Sequence, residues 1–157
     1  MAYQKLQASS ALAVIKDNDV DIPNPTSLII SSATTSAAAN KLIDTNADFV
    51  ALGVRIGDII YDTSTTVASK VEKIDSATQL TVSTAIPNAS NYNLYAQHNM
   101  PSNGCVLYIG SGGDVSLLTA SGDSVIFKGL VTGQFVPVQT LRVNSASTTA
   151  ADIIALW

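Results

Sequence analysis

Short runs of Ile, Val, Leu, Thr and aromatic residues, each closed by Gly, Asp, Asn or Pro, recur along the whole chain. This punctuation predicts strands rather than helices, because no sustained 3.6-residue apolar stripe accompanies it. The pattern is sharpest in the middle of the chain, where residues 42–44, 49–53, 57–62, 67–74, 80–82 and 92–96 read as strands. Thr63-Ser64-Thr65-Thr66 and Asp75-Ser76-Ala77-Thr78 supply the turns of successive hairpins. Strand length and spacing fit a small antiparallel barrel of about five strands.

A second β region follows Pro101, with strands expected over 105–109, 115–119, 124–127, 135–143 and 153–157. Ser111-Gly112-Gly113-Asp114 and Ser121-Gly122-Asp123 have the residues that tight hairpins need. Pro137 inside the fourth run donates no ladder hydrogen bond, which predicts a sheet edge or a bulge. The N-terminal stretch reads as an extended arm, since Pro23 and Pro25 impose extended backbone before Leu28-Ile29-Ile30. The fold expected is therefore all-β: a jelly-roll-like β-sandwich with an inserted small antiparallel β-barrel and an extended N-terminal arm. Residues 1–33 would form the arm and first sandwich strand, 34–97 the inserted barrel, and 98–157 the rest of the sandwich, the insertion falling at a surface hairpin.

Composition narrows the function. Only 13% of residues are charged, against about 25% in typical soluble domains, so much of the surface must be Ser, Thr and Asn. Hydroxyls and amides exchange water for protein partners at lower cost than ionised groups, which suits permanent protein contact. Net charge is −4 and the eight basic residues are scattered, leaving no phosphate-binding cluster and arguing against a nucleic-acid partner. The apolar stretch from Ala11 to Ile15 is short and followed by charge, which predicts neither a signal peptide nor a membrane span. A lone cysteine, Cys105, precludes an intramolecular disulfide and suits folding in a reducing compartment.

No motif for chemistry survives its spacing test. Gly110-Ser111-Gly112-Gly113 is followed by Asp114 and another strand, not by the Lys-Ser/Thr pair and helix of a phosphate loop. Asp17-Asn18-Asp19-Val20-Asp21 begins like a calcium loop, but Ile22 and Leu28 stand where Gly and Glu belong. The single histidine, His98, reads as a surface loop residue, and Cys105 as a small apolar strand residue, so neither a zinc set nor a Cys-His nucleophile is expected. A hydrolase would need His98 buried beside a serine and an acid, with no Gly-x-Ser-x-Gly elbow to support it. Asn88-Ala89-Ser90 matches a glycosylation acceptor with no secretion signal beside it. The expectation is a non-enzyme with no catalytic residue, cofactor or metal.

The C-terminal third carries a family resemblance. Its blocks are Gly104-Cys105-Val106-Leu107-Tyr108-Ile109-Gly110, Gly113-Asp114-Val115, Val125-Ile126-Phe127-Lys128-Gly129 and Phe135-Val136-Pro137-Val138-Gln139. They continue through Arg142-Val143, Ser147-Thr148-Thr149-Ala150-Ala151-Asp152 and Ile153-Ile154-Ala155-Leu156-Trp157. With Asp21-Ile22-Pro23-Asn24-Pro25, these blocks resemble bacteriophage and gene-transfer-agent head proteins of the spike-base type, and capsid cement proteins of marine and cyanobacterial phages. The likeness covers about half of the chain, and shorter relatives lack the middle segment that reads as the barrel here. It implies a virion structural protein on the capsid surface, made in the bacterial host cytoplasm, that stabilises the shell by packing on the major capsid protein. It carries no functional side chains to transfer.

The partners expected are the major capsid protein and further copies of the chain, as a homotrimer or, at a vertex, a pentamer; a spike or fibre protein is a further partner, and no nucleic acid or membrane is involved. The candidate interface residues are Leu6, Leu12, Val14 and Ile15 on the arm, which lacks a local hairpin partner, and Trp157 at the C-terminal strand. The competing reading is a head-spike base or a fibre or tail adhesin that binds host surface glycans.

Overall fold

The computed structural model describes residues 8–98 and 103–157. All of its regular elements are strands apart from one 3-10 turn, Pro25–Ser27. The strands are β1 (Ala11–Ala13), β2 (Leu28–Ala33), β3 (Lys41–Ile43), β4 (Ile59–Asp62), β5 (Val67–Ser76) and β6 (Gln79–Val82), followed by β7 (Asn91–Tyr95), β8 (Cys105–Ser111), β9 (Gly113–Thr119), β10 (Ser124–Leu130), β11 (Phe135–Val143) and β12 (Ala151–Leu156). They form two antiparallel sheets of six strands, consistent with the all-β sandwich class expected. Each sheet belongs to its own unit: residues 8–18, 24–26 and 103–157 make one, and 19–23 and 27–98 the other.

The middle unit has the strand order β2-β7-β4-β5-β6-β3. Past β2 the chain bridges back to β3, through Thr35 N–H to the Ile43 carbonyl at 2.9 Å and a Ser36–Ile43 bridge. This closes the ring and removes the free edges that an open sheet would present. Leu42, Phe49, Val54, Ile60, Val71, Leu80, Val82, Ile86, Tyr92 and Leu94 fill its interior. Alternation puts Leu80 and Val82 of β6 inward, while Gln79 and Thr81 stay partly exposed.

Two expectations change here. Residues 28–33 do not open the sandwich; they pair with β7, from Leu28↔Tyr95 to Ala33↔Asn91, and belong to the barrel. Residues 49–53 are no strand, because Asp48 holds them in a hydrogen-bonded turn, its carboxylate taking the Ala51 N–H and its carbonyl the Leu52 N–H, both at 2.9 Å. The turn sends Phe49 and Val54 into the core together.

Three aspartates of this unit, Asp44, Asp58 and Asp62, are fully buried and flank strands β3 and β4. Buried carboxylates persist only when hydrogen-bonded, and each one gathers donors. Asp44 Oδ2 accepts the Tyr92 phenol at 2.8 Å and the Ser32 hydroxyl at 2.6 Å. Asp62 Oδ1 accepts the N–H groups of Ser64 and Thr65, and Oδ2 the hydroxyls of Thr65 and Ser90. The turn after Asp62 ends on Thr66 at φ 56°. A β-branched residue in the left-handed region is strained, so Thr66→Gly should raise stability by about 1 kcal/mol in urea unfolding. An unchanged or lower midpoint would show the strain to be absent.

In the other unit the order is β1-β12-β8-β11-β9-β10. Its inward side chains include Leu107, Ile109, Val115, Leu117, Val143, Ile153 and Ala155, all buried. Pro137 lies in the register shift of β11 against β8, between Val136 and Thr140, so it marks a bulge in a central strand. The hairpin at Ser121-Gly122-Asp123 joins β9 to β10 as expected, with Gly122 at φ 91°. The hairpin expected at 111–114 does not form, because β11 lies between β8 and β9. Its glycines serve close packing instead: a Cβ on Gly112 would stand 2.7 Å from the Leu130 carbonyl oxygen, and one on Gly113 2.6 Å from the Ala150 nitrogen.

The N-terminal arm is not free over its described part. β1 adds to the edge of the sheet beside β12, in the register Ala11↔Leu156, Leu12↔Ala155 and Ala13↔Ile154. Its partner is remote in sequence, which is why a search for a local hairpin finds none.

Candidate interaction surfaces

Each unit presents apolar side chains outward from hydrogen-bonded backbone. In the barrel unit they are Val50, Leu52 and Ile56, on the segment between β3 and β4. This segment is fixed at several points. Val54 N–H bonds the Phe49 carbonyl at 3.0 Å, Arg55 N–H bonds Asp58 Oδ2 at 2.8 Å, and Gly57 N–H bonds the Val71 carbonyl at 2.8 Å. Ile56 is 67% exposed on this fixed frame and Val50 62%, where a mobile polar loop would be the ordinary surface solution.

In the second unit the outward residues are Val125 and Ile126 on β10, Val131 in the turn after it, and Phe135 at the start of β11. β10 is an edge strand paired only with β9. Val125 stands opposite Leu117 and Ile126 opposite Ser116, so both faces of this edge carry exposed aliphatic groups. Phe135 lies against Tyr108 with ring centroids 5.4 Å apart. An open edge bearing apolar side chains is a template for protein contact, which Lys128 moderates with one charge.

The five expected interface residues fare differently. Leu6 lies outside the described residues. Leu12, Val14, Ile15 and Trp157 are all half-buried within their own chain. Val14 N–H bonds the Ile153 carbonyl at 2.9 Å, and Trp157 N–H bonds the Ser10 carbonyl at 3.0 Å. The structure thus brings Leu12, Val14 and Trp157 together along one strand pair. The exposed apolar residues that the sequence reading missed had one signal: consecutive or closely spaced aliphatics, Val125-Ile126 and the 50–56 segment, which strict alternation does not account for.

His98 is not a surface loop residue. Its side chain is 14% exposed, and Nδ1 lies 2.6 Å from Oδ1 of Asp58, which also accepts the Gln97 N–H at 2.9 Å. Among the described residues no serine hydroxyl bonds the His98 ring. Cys105 is buried with its thiol directed to the Thr140 carbonyl at 3.3 Å, and burial pushes its pKa up to about 12. The native protein should therefore resist thiol reagents at pH 8 and label only on unfolding, read by mass spectrometry; fast labelling without denaturant would contradict this burial.

The Asn88-Ala89-Ser90 tripeptide is built into the barrel. The Ser90 hydroxyl bonds Asp62 at 2.9 Å, and Ser90 N–H bonds the Thr34 hydroxyl at 3.0 Å. Around the calcium-like run, Asn18 Oδ1 accepts the Ala146 N–H at 3.0 Å and Val20 is buried. Among the described residues no three His, Cys, Asp or Glu side chains gather as a metal set, and no helix is long and apolar enough to cross a membrane. Comparison with protein-family models, curated proteins and solved structures finds no match to this chain.

Proposed function

We propose that the chain is a virion structural subunit that decorates a phage capsid and stabilises it by protein–protein packing. The observation that carries this reading is the outward apolar set held on rigid backbone: Val50, Leu52 and Ile56 in one unit, and Val125, Ile126, Val131 and Phe135 in the other. Exposing such groups to water costs free energy, and a partner that covers them lowers it. The low charge density adds support, since few ionised groups need to be desolvated on contact. The resemblance of the arm and C-terminal blocks to capsid cement and spike-base proteins supplies the kind of partner: the major capsid protein, with the subunit placed on the virion surface as a homotrimer, or as a pentamer at a vertex.

Two measurements test the reading. Light scattering on the isolated protein should give three or five times the 16.3 kDa chain mass; a monomer at micromolar concentration would remove the oligomer from the proposal. Co-sedimentation with empty shells of the phage that encodes the chain should show saturable binding. Ile56→Asp and Ile126→Asp, each burying a charge at contact, should weaken it about tenfold or more, equal to roughly 1.4 kcal/mol. No binding to shells, together with retention on a glycan array, would favour the adhesin reading instead.

A further inference from the structure

We propose that the N-terminal segment, residues 8–18, is an exchanged element: in the assembled protein it completes the β12 edge of a second copy of this chain rather than its own. This goes beyond the capsid reading and holds whether or not a shell is the partner. The receptor and the occupant are both visible in one chain. β12 accepts the segment through Trp157 N–H to the Ser10 carbonyl at 3.0 Å, Ser9 N–H to the Trp157 carbonyl at 2.5 Å and Val14 N–H to the Ile153 carbonyl at 2.9 Å. Further along, Lys16 Nζ bonds the Ala150 carbonyl, Asp17 N–H the Val143 carbonyl and Ala146 N–H the Asn18 side chain. Each of these contacts is made to residues 143–157, and a second copy offers the same residues in the same register.

Two features make exchange accessible. No side chain of the segment is fully buried: Ala11 and Ala13 are exposed, and Leu12, Val14 and Ile15 are half-buried. Withdrawing it uncovers these aliphatic groups and leaves the main-chain groups of β12 as a bare edge, and a strand from another copy covers both again. The chain also leaves this unit at Asn18: residues 19–23 belong to the barrel unit, and only residues 24–26 return before the barrel strands begin. Residues 8–18 are thus joined to the rest of the chain through a stretch that belongs to the other unit. No strand or helix lies between β1 and Pro25, and the exposed pair Asn18-Asp19 is where the chain would turn towards another copy. Closed and exchanged forms share the same contacts, so concentration and the geometry of that turn decide between them.

Cysteine pairs distinguish the two forms. Ser10 and Trp157 are a hydrogen-bonded pair, so Ala13 and Ile154, three residues along in the same register, are a close non-hydrogen-bonded pair that suits a disulfide. Two single variants, Ala13→Cys and Ile154→Cys, are mixed at high concentration, oxidised and run without reductant beside the double variant. Exchange predicts a covalent heterodimer at twice the chain mass from the mixture and intermolecular products from the double variant. A disulfide confined within the chain of the double variant, with no heterodimer from the mixture, overturns the proposal. Should that pair perturb folding, Ala11→Cys with Leu156→Cys occupies the next such position. Failure of both double variants to form any disulfide would refute the strand pairing itself, and the proposal with it.

Discussion

Replacing Asp62 with alanine should cost the barrel about 2–4 kcal/mol, the sum of lost charge-assisted hydrogen bonds and a stranded donor. Asp62 is fully buried at the end of β4, and its two oxygens take four donors. The backbone donors of Ser64 and Thr65 sit on an exposed turn, where water replaces the carboxylate at small loss. Ser90 is different: it is 2% exposed, so its hydroxyl has no water to turn to. Asp62→Asn keeps one acceptor oxygen for the turn and should lose about half as much. Urea unfolding of the two variants, followed by circular dichroism, measures both effects. If Asp62→Ala changes stability by less than about 0.5 kcal/mol, within the range of ordinary surface substitutions, the carboxylate does not organise this corner.

The same three aspartates show how far the sequence was readable. Asp44, Asp58 and Asp62 stood inside the strands expected over 42–44 and 57–62; in the structure Asp44 follows β3, Asp58 precedes β4 and Asp62 ends it. Their burial was not legible, because it depends on donors 28 to 48 residues away: Ser90 for Asp62, His98 for Asp58 and Tyr92 for Asp44. Local pattern also predicted the all-β class and the strands β4 to β7, where alternation and turn residues agree. It failed where tertiary contact decides. Leu28-Ile29-Ile30 is a good strand in any sheet, and nothing local indicates that β7 is its neighbour. Gly112-Gly113 looks like a hairpin turn, yet its missing side chains make room for other backbone. The outward apolar residues were passed over because a run of aliphatics in a β pattern reads as core until burial is known.

Removing residues 155–157 should destabilise the β1–β12 unit by about 3–5 kcal/mol, enough to unfold it if its stability is near the lower end of the usual range. Ala155 is fully buried opposite Leu107, Leu156 pairs with Val106, and Trp157 carries the backbone bonds that hold Ser9 and Ser10. Trp157→Ala separates two roles for the last residue. Its side chain is half-buried, so truncation to Cβ should cost about 1–2 kcal/mol. Its N–H and carbonyl remain, so β1 should stay docked. Hydrogen exchange at Val14 tests this: protection by the Ile153 carbonyl should survive Trp157→Ala and vanish in the truncated chain. The two variants also bear on strand exchange, because both closed and exchanged forms need the β12 edge. Trp157→Ala should leave the oligomer mass unchanged, whereas loss of residues 155–157 should reduce it. If truncation leaves both mass and melting unchanged, neither packing nor exchange depends on this edge.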